Sequence, residues 1–232
     1  MKALILVTSH EKLGDTGNDT GFYWEELAAP YWTFRDAGLD VEFASVKGGK
    51  PPADPKSAAA DRITETVDRF LADDASMQAL ENTKKVSEID PGAYELVFLP
   101  GGHGTMWDFA QTDAVGKLVA EAYESGAVVG AVCHGPSGLL NAKLNSGDTL
   151  VKGKRVNCFT DSEEEAVGLT EVVPYLLETE LRNKGARFEK GENFKPYAVR
   201  DGRLVTGQNP SSSEKVAELL IEALRDEKVL AA

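Results

Sequence analysis

The candidate chemistry gathers around Cys133. Ala127 to Val132 is an unbroken apolar run with β-branched residues, which suits a strand buried on both faces of a parallel sheet. Cys133 follows it, with Ala131 two places before and Gly135 two places after. Small residues there permit a sharp strand-to-helix turn on which a nucleophile stands exposed. Pro136 fits the first turn of the helix expected next. A thiol at such a helix start meets unpaired N–H groups and the positive end of the dipole, so the Cys133 thiolate is predicted to be favoured. The second cysteine, Cys158, has a plain strand context.

His134 is next to the thiol in sequence, and its ring is expected to turn towards another strand end. There Asp161 or Glu164 can hold one ring nitrogen. At least two of the three acids Glu163 to Glu165 are expected to form a solvated helix start. Gly101-Gly102-His103-Gly104 follows a predicted strand, and its backbone N–H groups can face an oxyanion. It lacks the Lys-Ser/Thr ending of a phosphate loop and the spacing of a dinucleotide loop. No metal site is expected, because His10, His103 and His134 lie on separate loops without Cys-x-x-Cys or His-x-x-x-His spacing.

The elements that must position these groups alternate along the chain. Strands are predicted at Ala3 to Val7, Val41 to Val46, Tyr94 to Leu99, Ala127 to Val132 and Arg155 to Thr160, with shorter ones at Phe188 and Ala198 to Thr206. Helices are predicted at Phe22 to Ala37, Asp113 to Ser125, Val172 to Lys184 and Ser211 to Leu224. On the first helix Tyr23, Leu27, Pro30, Tyr31 and Phe34 form the apolar stripe. Glu26 lies on the shoulder of that stripe and Glu25 opposite it, so Glu26 is the carboxylate expected in the site and Glu25 a solvated charge. The pattern is that of one α/β domain over residues 1–232, a doubly wound, mostly parallel sheet flanked by helices. A turn-rich insertion at about 47–90 is expected to cover one edge and contribute to a pocket lid. Ligands of such sheets sit beyond the carboxyl ends of the strands, where Cys133, Gly101 to Gly104 and Asp161 emerge.

Composition narrows the function classes. The net charge is −13, which opposes phosphate backbones and anionic membranes, so neither nucleic acid nor membrane is an expected partner. Two cysteines make no disulfide framework. The apolar start Ala3 to Val7 is too short for a signal segment, and a cytoplasmic location is the default expectation.

Five blocks carry a family resemblance: Gly21-Phe-Tyr-Trp-Glu25-Glu26-Leu-Ala-Ala-Pro30, Pro100-Gly101-Gly102-His103-Gly104, Ala131-Val-Cys133-His134-Gly135-Pro136, Phe159-Thr160-Asp161-Ser-Glu-Glu164 and Asp201-Gly-Arg-Leu-Val-Thr-Gly207-Gln-Asn209-Pro210. Over nearly its full length the chain resembles the ThiJ/PfpI superfamily, whose fold is flavodoxin-like and shared with class I glutamine amidotransferases, and within it the glyoxalase III and heat-shock-chaperone branch. The resemblance implies Cys133 as nucleophile, His134 as its triad partner and Glu26 as the helix glutamate that touches the thiol. The third triad member matches either Asp161 or Glu164. Gly102, His103 and Gly104 match the oxyanion and substrate loop. The implied reaction is a cofactor-free, glutathione-independent conversion of methylglyoxal or glyoxal to lactate or glycolate. The implied partners are a small 2-oxoaldehyde and a second copy of the chain in a homodimer. Glutaminase activity is excluded, because that branch pairs its cysteine with a late His-x-Glu and no histidine follows His134. Peptidase or deglycase chemistry on the same thiolate, and a holdase role through an aromatic surface at Tyr31, Trp32 and Phe34, are the alternatives.

Overall fold

A computed structural model describes residues 1–231. In chain order the elements are β1 (Lys2–Val7), α1 (Trp24–Asp36), β2 (Asp40–Ser45), α2 (Glu65–Leu71), α3 (Asp74–Glu81), β3 (Lys84–Lys85), β4 (Leu96–Leu99), α4 (Thr105–Asp108), α5 (Asp113–Glu124), β5 (Val128–Val132), β6 (Arg155–Val156), α6 (Asp161–Ala166), α7 (Leu177–Asn183), β7 (Arg187–Phe188), β8 (Ala198–Asp201), β9 (Leu204–Gly207) and α8 (Ser213–Ala231). The main sheet has the order β3-β2-β1-β4-β5-β9-β8, parallel throughout except for the β8–β9 pair.

Alternate residues of each central strand enter opposite layers of the core. Leu4 and Leu6 of β1, Val97 and Leu99 of β4, and Val129 and Ala131 of β5 pack with α5 and α7. Ala3, Ile5 and Val7, Leu96 and Phe98, and Val128 and Val132 pack on the other face with α1, α2, α3 and α8. This period of two, with apolar residues on both faces, is why these strands read as continuous hydrophobic runs. Chain order reverses direction at β1 and β4, which opens a crevice beyond their carboxyl ends.

Several expectations are corrected. The strand expected over Arg155 to Thr160 is only β6, which pairs with β7 in a separate parallel ribbon outside the main sheet. The helix expected after Cys133 is a short 3-10 segment, Gly135–Leu139. Tyr31 and Phe34 are core residues, and Trp32 lies under the Arg69 guanidinium at 3.6 Å from the ring centroid, so these three do not form an exposed aromatic surface. The segment 47–90 supplies edge strand β3 beside β2, packs α2 and α3 over α1, and lends Asp54, Lys56 and Arg62 to a pocket wall. Among the described residues no helix is long and apolar enough to cross a membrane.

Candidate active site

Cys133 leaves β5 with φ +59, in the left-handed region that costs a non-glycine residue about 1–2 kcal/mol. The cost is sustained because the residue's backbone is clamped on both sides. Its N–H donates to Gly207 O (2.9 Å) and its C=O accepts from the N–H of Phe159 (2.8 Å). Gly135 is required at the turn, since a Cβ there would stand 2.0 Å from Leu99 O. The reversal of the chain also brings the neighbouring imidazole back over the sulfur. His134 Nδ1 lies 3.3 Å from Cys133 Sγ, so one ring nitrogen meets the thiol and the other is left for a different element.

The far side of that ring meets α6. Thr160 caps this helix in a reciprocal capping box with Glu163, which fixes the first turn and aims Glu164 at the strand ends. Glu164 Oε2 is 2.7 Å from His134 Nε2, and Oε1 is 2.8 Å from His103 Nε2. Asp161 turns instead towards α7, where its Oδ2 accepts from Thr179 Oγ1 (2.6 Å). Of the two acids left open by the sequence, Glu164 is therefore the one in contact with His134. Only Glu165 of the acidic trio is exposed; Glu163 and Glu164 are buried, contrary to the expectation of a solvated helix start.

The ionisation of these groups follows from burial and pairing. Burial and the nearby His103 push the His134 pKa down, so the ring is neutral at rest. Burial opposes charge on Glu164, but the His134 and His103 rings outweigh it and hold the carboxyl well below its ordinary range. With Glu164 ionised, His134 donates Nε2–H to it and leaves the Nδ1 lone pair facing the thiol. For Cys133 the outcome is opposite to the expected favoured thiolate. Burial, then the charge of Glu26, push the thiol well above its ordinary value. A five-residue 3-10 turn supplies too little dipole to offset that.

Glu26 projects from the first turn of α1, fully buried, and Oε2 accepts from the N–H of Gly101 (2.7 Å). Its Oε1 has no hydrogen-bond partner among the described residues, and the carboxyl lies beside the Cys133 thiol. Burial raises this pKa to about 8, against the lowering influence of the thiol and of Gly101. Glu25 is half-buried rather than freely solvated, and accepts from the hydroxyls of Thr64 and Thr66 at the start of α2.

In the glycine loop, Gly102 has φ +97, and a Cβ there would lie 2.2 Å from Gly21 O. The backbone N–H groups of Gly102, His103 and His134 have no partner among the described residues, whereas that of Gly104 donates to Gly21 O (3.3 Å). Gly104 thus shapes the loop and has no free donor for an oxyanion. The histidines expected on separate loops come together, with the His103 and His134 rings 4.1 Å apart. With Glu164 they offer donor atoms within 4.8 Å of one another, a set able to hold a metal ion, although each Nε2 is already engaged by a Glu164 oxygen. The side-chain part of His103 was missed in the sequence because its contact with Glu164 depends on how α6 packs, which no local pattern records.

Of these groups Glu26, Gly102, His103, Cys133 and His134 line a pocket of about 500 Å³ beyond the strand ends. Cys133 borders it, while Cys158 is fully buried with its thiol donating to Phe159 O (3.0 Å). Limited alkylation of the native protein followed by peptide mapping is expected to label Cys133 first and Cys158 only after unfolding. Earlier labelling of Cys158 would overturn the assignment of the reactive thiol.

Residues 19–223 match the family model described as the DJ-1/PfpI family. The chain is 33% identical over 233 residues to the Candida albicans protein named Glyoxalase 3, covering 96% of this chain and 98% of that one. It is 32% identical over 236 residues to the Saccharomyces cerevisiae protein named Glutathione-independent glyoxalase HSP31, covering 97% and 98%. Its fold matches the crystal structure of glyoxalase III from Candida albicans with a TM-score of 0.88 at 31% identity, over 96% of this chain and 97% of that one.

Proposed function

The chain belongs to the DJ-1/PfpI family, and from that premise we propose that it is a glutathione-independent glyoxalase of the glyoxalase III type. On this reading it converts methylglyoxal to lactate and glyoxal to glycolate. The observation that carries the reading is a thiol flanked by two different proton-transfer groups in one pocket: neutral His134, backed by ionised Glu164, and buried Glu26 with its pKa near 8. Nucleophilic addition needs the first group, and moving hydrogen between two carbons needs the second.

The steps balance without an external oxidant or reductant. His134 Nδ1 takes the thiol proton as Cys133 Sγ bonds to the aldehyde carbon C1, and the oxyanion faces the N–H groups of Gly102 and His134. The imidazolium returns the proton to that oxygen, giving a hemithioacetal. Glu26, once it has released its own proton to solvent, removes the hydrogen from C1 as a carboxylate and delivers it to C2 through an enediol. The C1 hydroxyl proton meanwhile passes by way of His134 to the C2 oxygen. C1 is oxidised to a thioester while C2 is reduced to the alcohol. Water, deprotonated by His134, attacks the thioester, the hydroxy acid leaves and the thiol is restored. A carboxyl with a pKa near the working pH suits a group that must both take and give a proton.

The direct test is methylglyoxal consumption and lactate formation by the reduced protein without added thiol. Both are expected; protein with a titratable Cys133 thiol that forms no hydroxy acid from methylglyoxal or glyoxal would overturn the reading.

A further inference from the structure

One wall of the pocket has no role in the steps above. Phe159 packs against the His134 ring (centroids 4.7 Å apart), and Phe194 packs against Phe159 (6.2 Å). An aromatic track therefore runs from the catalytic imidazole to the mouth of the pocket. Phe194 is 46% exposed and Val167 is 44% exposed, and both line this mouth. They are two of only four large apolar side chains so exposed among the described residues. The polar part of the lining comes from Tyr23, Asp54, Lys56, Arg62, Asn209 and Ser211.

The exposure of Phe194 is enforced. Its φ is +60, a left-handed conformation that disfavours an aromatic residue. Its N–H donates to Glu163 Oε1 (2.7 Å), which also accepts from Asn209 Nδ2 (2.9 Å). The other carboxylate oxygen accepts from Thr160 N and Oγ1, both at 3.0 Å. A fully buried, fully bonded carboxylate thus holds a strained residue with its ring at the pocket mouth, and strain maintained beside a reacting centre points to use there. The cavity, about 500 Å³, is in the range that encloses a drug-sized ligand, far more than a three-carbon aldehyde fills.

We infer that Phe159, Phe194, Val167 and Leu169 form a subsite for the apolar group R of a 2-oxoaldehyde R–CO–CHO, so that the protein favours aryl or branched-alkyl 2-oxoaldehydes over methylglyoxal. This rests on the glyoxalase reading. With C1 bonded to Cys133, the substituent on C2 extends along the aromatic track, and the product is the matching 2-hydroxy acid by the same balanced steps.

The test compares kcat/KM for phenylglyoxal and methylglyoxal in wild type, Phe194→Ala and Phe194→Tyr. The change of the phenylglyoxal-to-methylglyoxal ratio between variants cancels the intrinsic reactivity of the two aldehydes. Phe194→Ala is expected to lower that ratio about tenfold, the order of a lost apolar contact in a specificity pocket, and Phe194→Tyr is expected to keep it. A ratio unchanged in Phe194→Ala, or lowered equally by Tyr and Ala, would overturn the subsite while leaving the glyoxalase reading intact. Absence of turnover of both aldehydes by reduced wild type would remove the reading on which it rests.

Discussion

Cys133→Ser abolishes hydroxy-acid formation from methylglyoxal, with an expected loss of at least about 10⁴-fold, the scale seen when a covalent nucleophile is removed. The hydroxyl nearly matches the thiol in shape and keeps the left-handed backbone at this position, so circular dichroism and cooperative unfolding should match wild type. What is lost is ionisability and nucleophilicity. The Cys133 pKa is already raised by burial and by the adjacent Glu26 carboxyl, and a serine in that environment offers His134 a far weaker acid. The same variant separates an enzymatic from a holdase role, because it changes almost no apolar surface. Residual lactate formation within tenfold of wild type would remove Cys133 from the reaction.

The second large effect is at Glu26. Glu26→Gln retains a side-chain oxygen that can accept from the Gly101 N–H but cannot take a proton from carbon, so turnover should fall roughly a hundredfold or more. Glu25→Gln should leave turnover nearly intact, since Glu25 holds hydroxyls of Thr64 and Thr66 and does not border the pocket. The reverse ranking would sink the role of Glu26.

A thermodynamic signature accompanies it. Burial keeps Glu26 protonated in the fold to about pH 8, while its ordinary value is 4.5. Between these values the folded state binds more protons than the unfolded chain, so this group's contribution to stability is complete below about 4.5 and is lost as pH rises through 8. Glu26→Gln removes that dependence. Its stability relative to wild type should therefore increase from acid to mildly alkaline pH in urea titrations; a difference independent of pH would mean Glu26 is not buried with a raised pKa.

The sequence by itself determined the features that depend on local pattern. The apolar runs ending at Val7, Leu99 and Val132 read correctly as central parallel strands because both of their faces are buried. The elbow was legible because Gly135 and Ala131 are the small residues such a turn needs, and Glu26 was separable from Glu25 by helical face alone. Even so, the helix after the elbow shortened to a 3-10 turn, and with it went the expected thiolate.

Tertiary structure decided what rests on contacts between distant segments. Asp161 and Glu164 begin the same short helix, and only the docking of α6 against the β5 end sends Glu164 to His134 and leaves Asp161 with Thr179. The same docking joins His103 to the site through the other oxygen of Glu164, although no spacing links these residues in the chain. The rise in the Cys133 and Glu26 pKa values follows from sealing a thiol and a carboxyl together away from water. That is a property of packing, because desolvation depends on what surrounds a group in space and not on its neighbours in sequence.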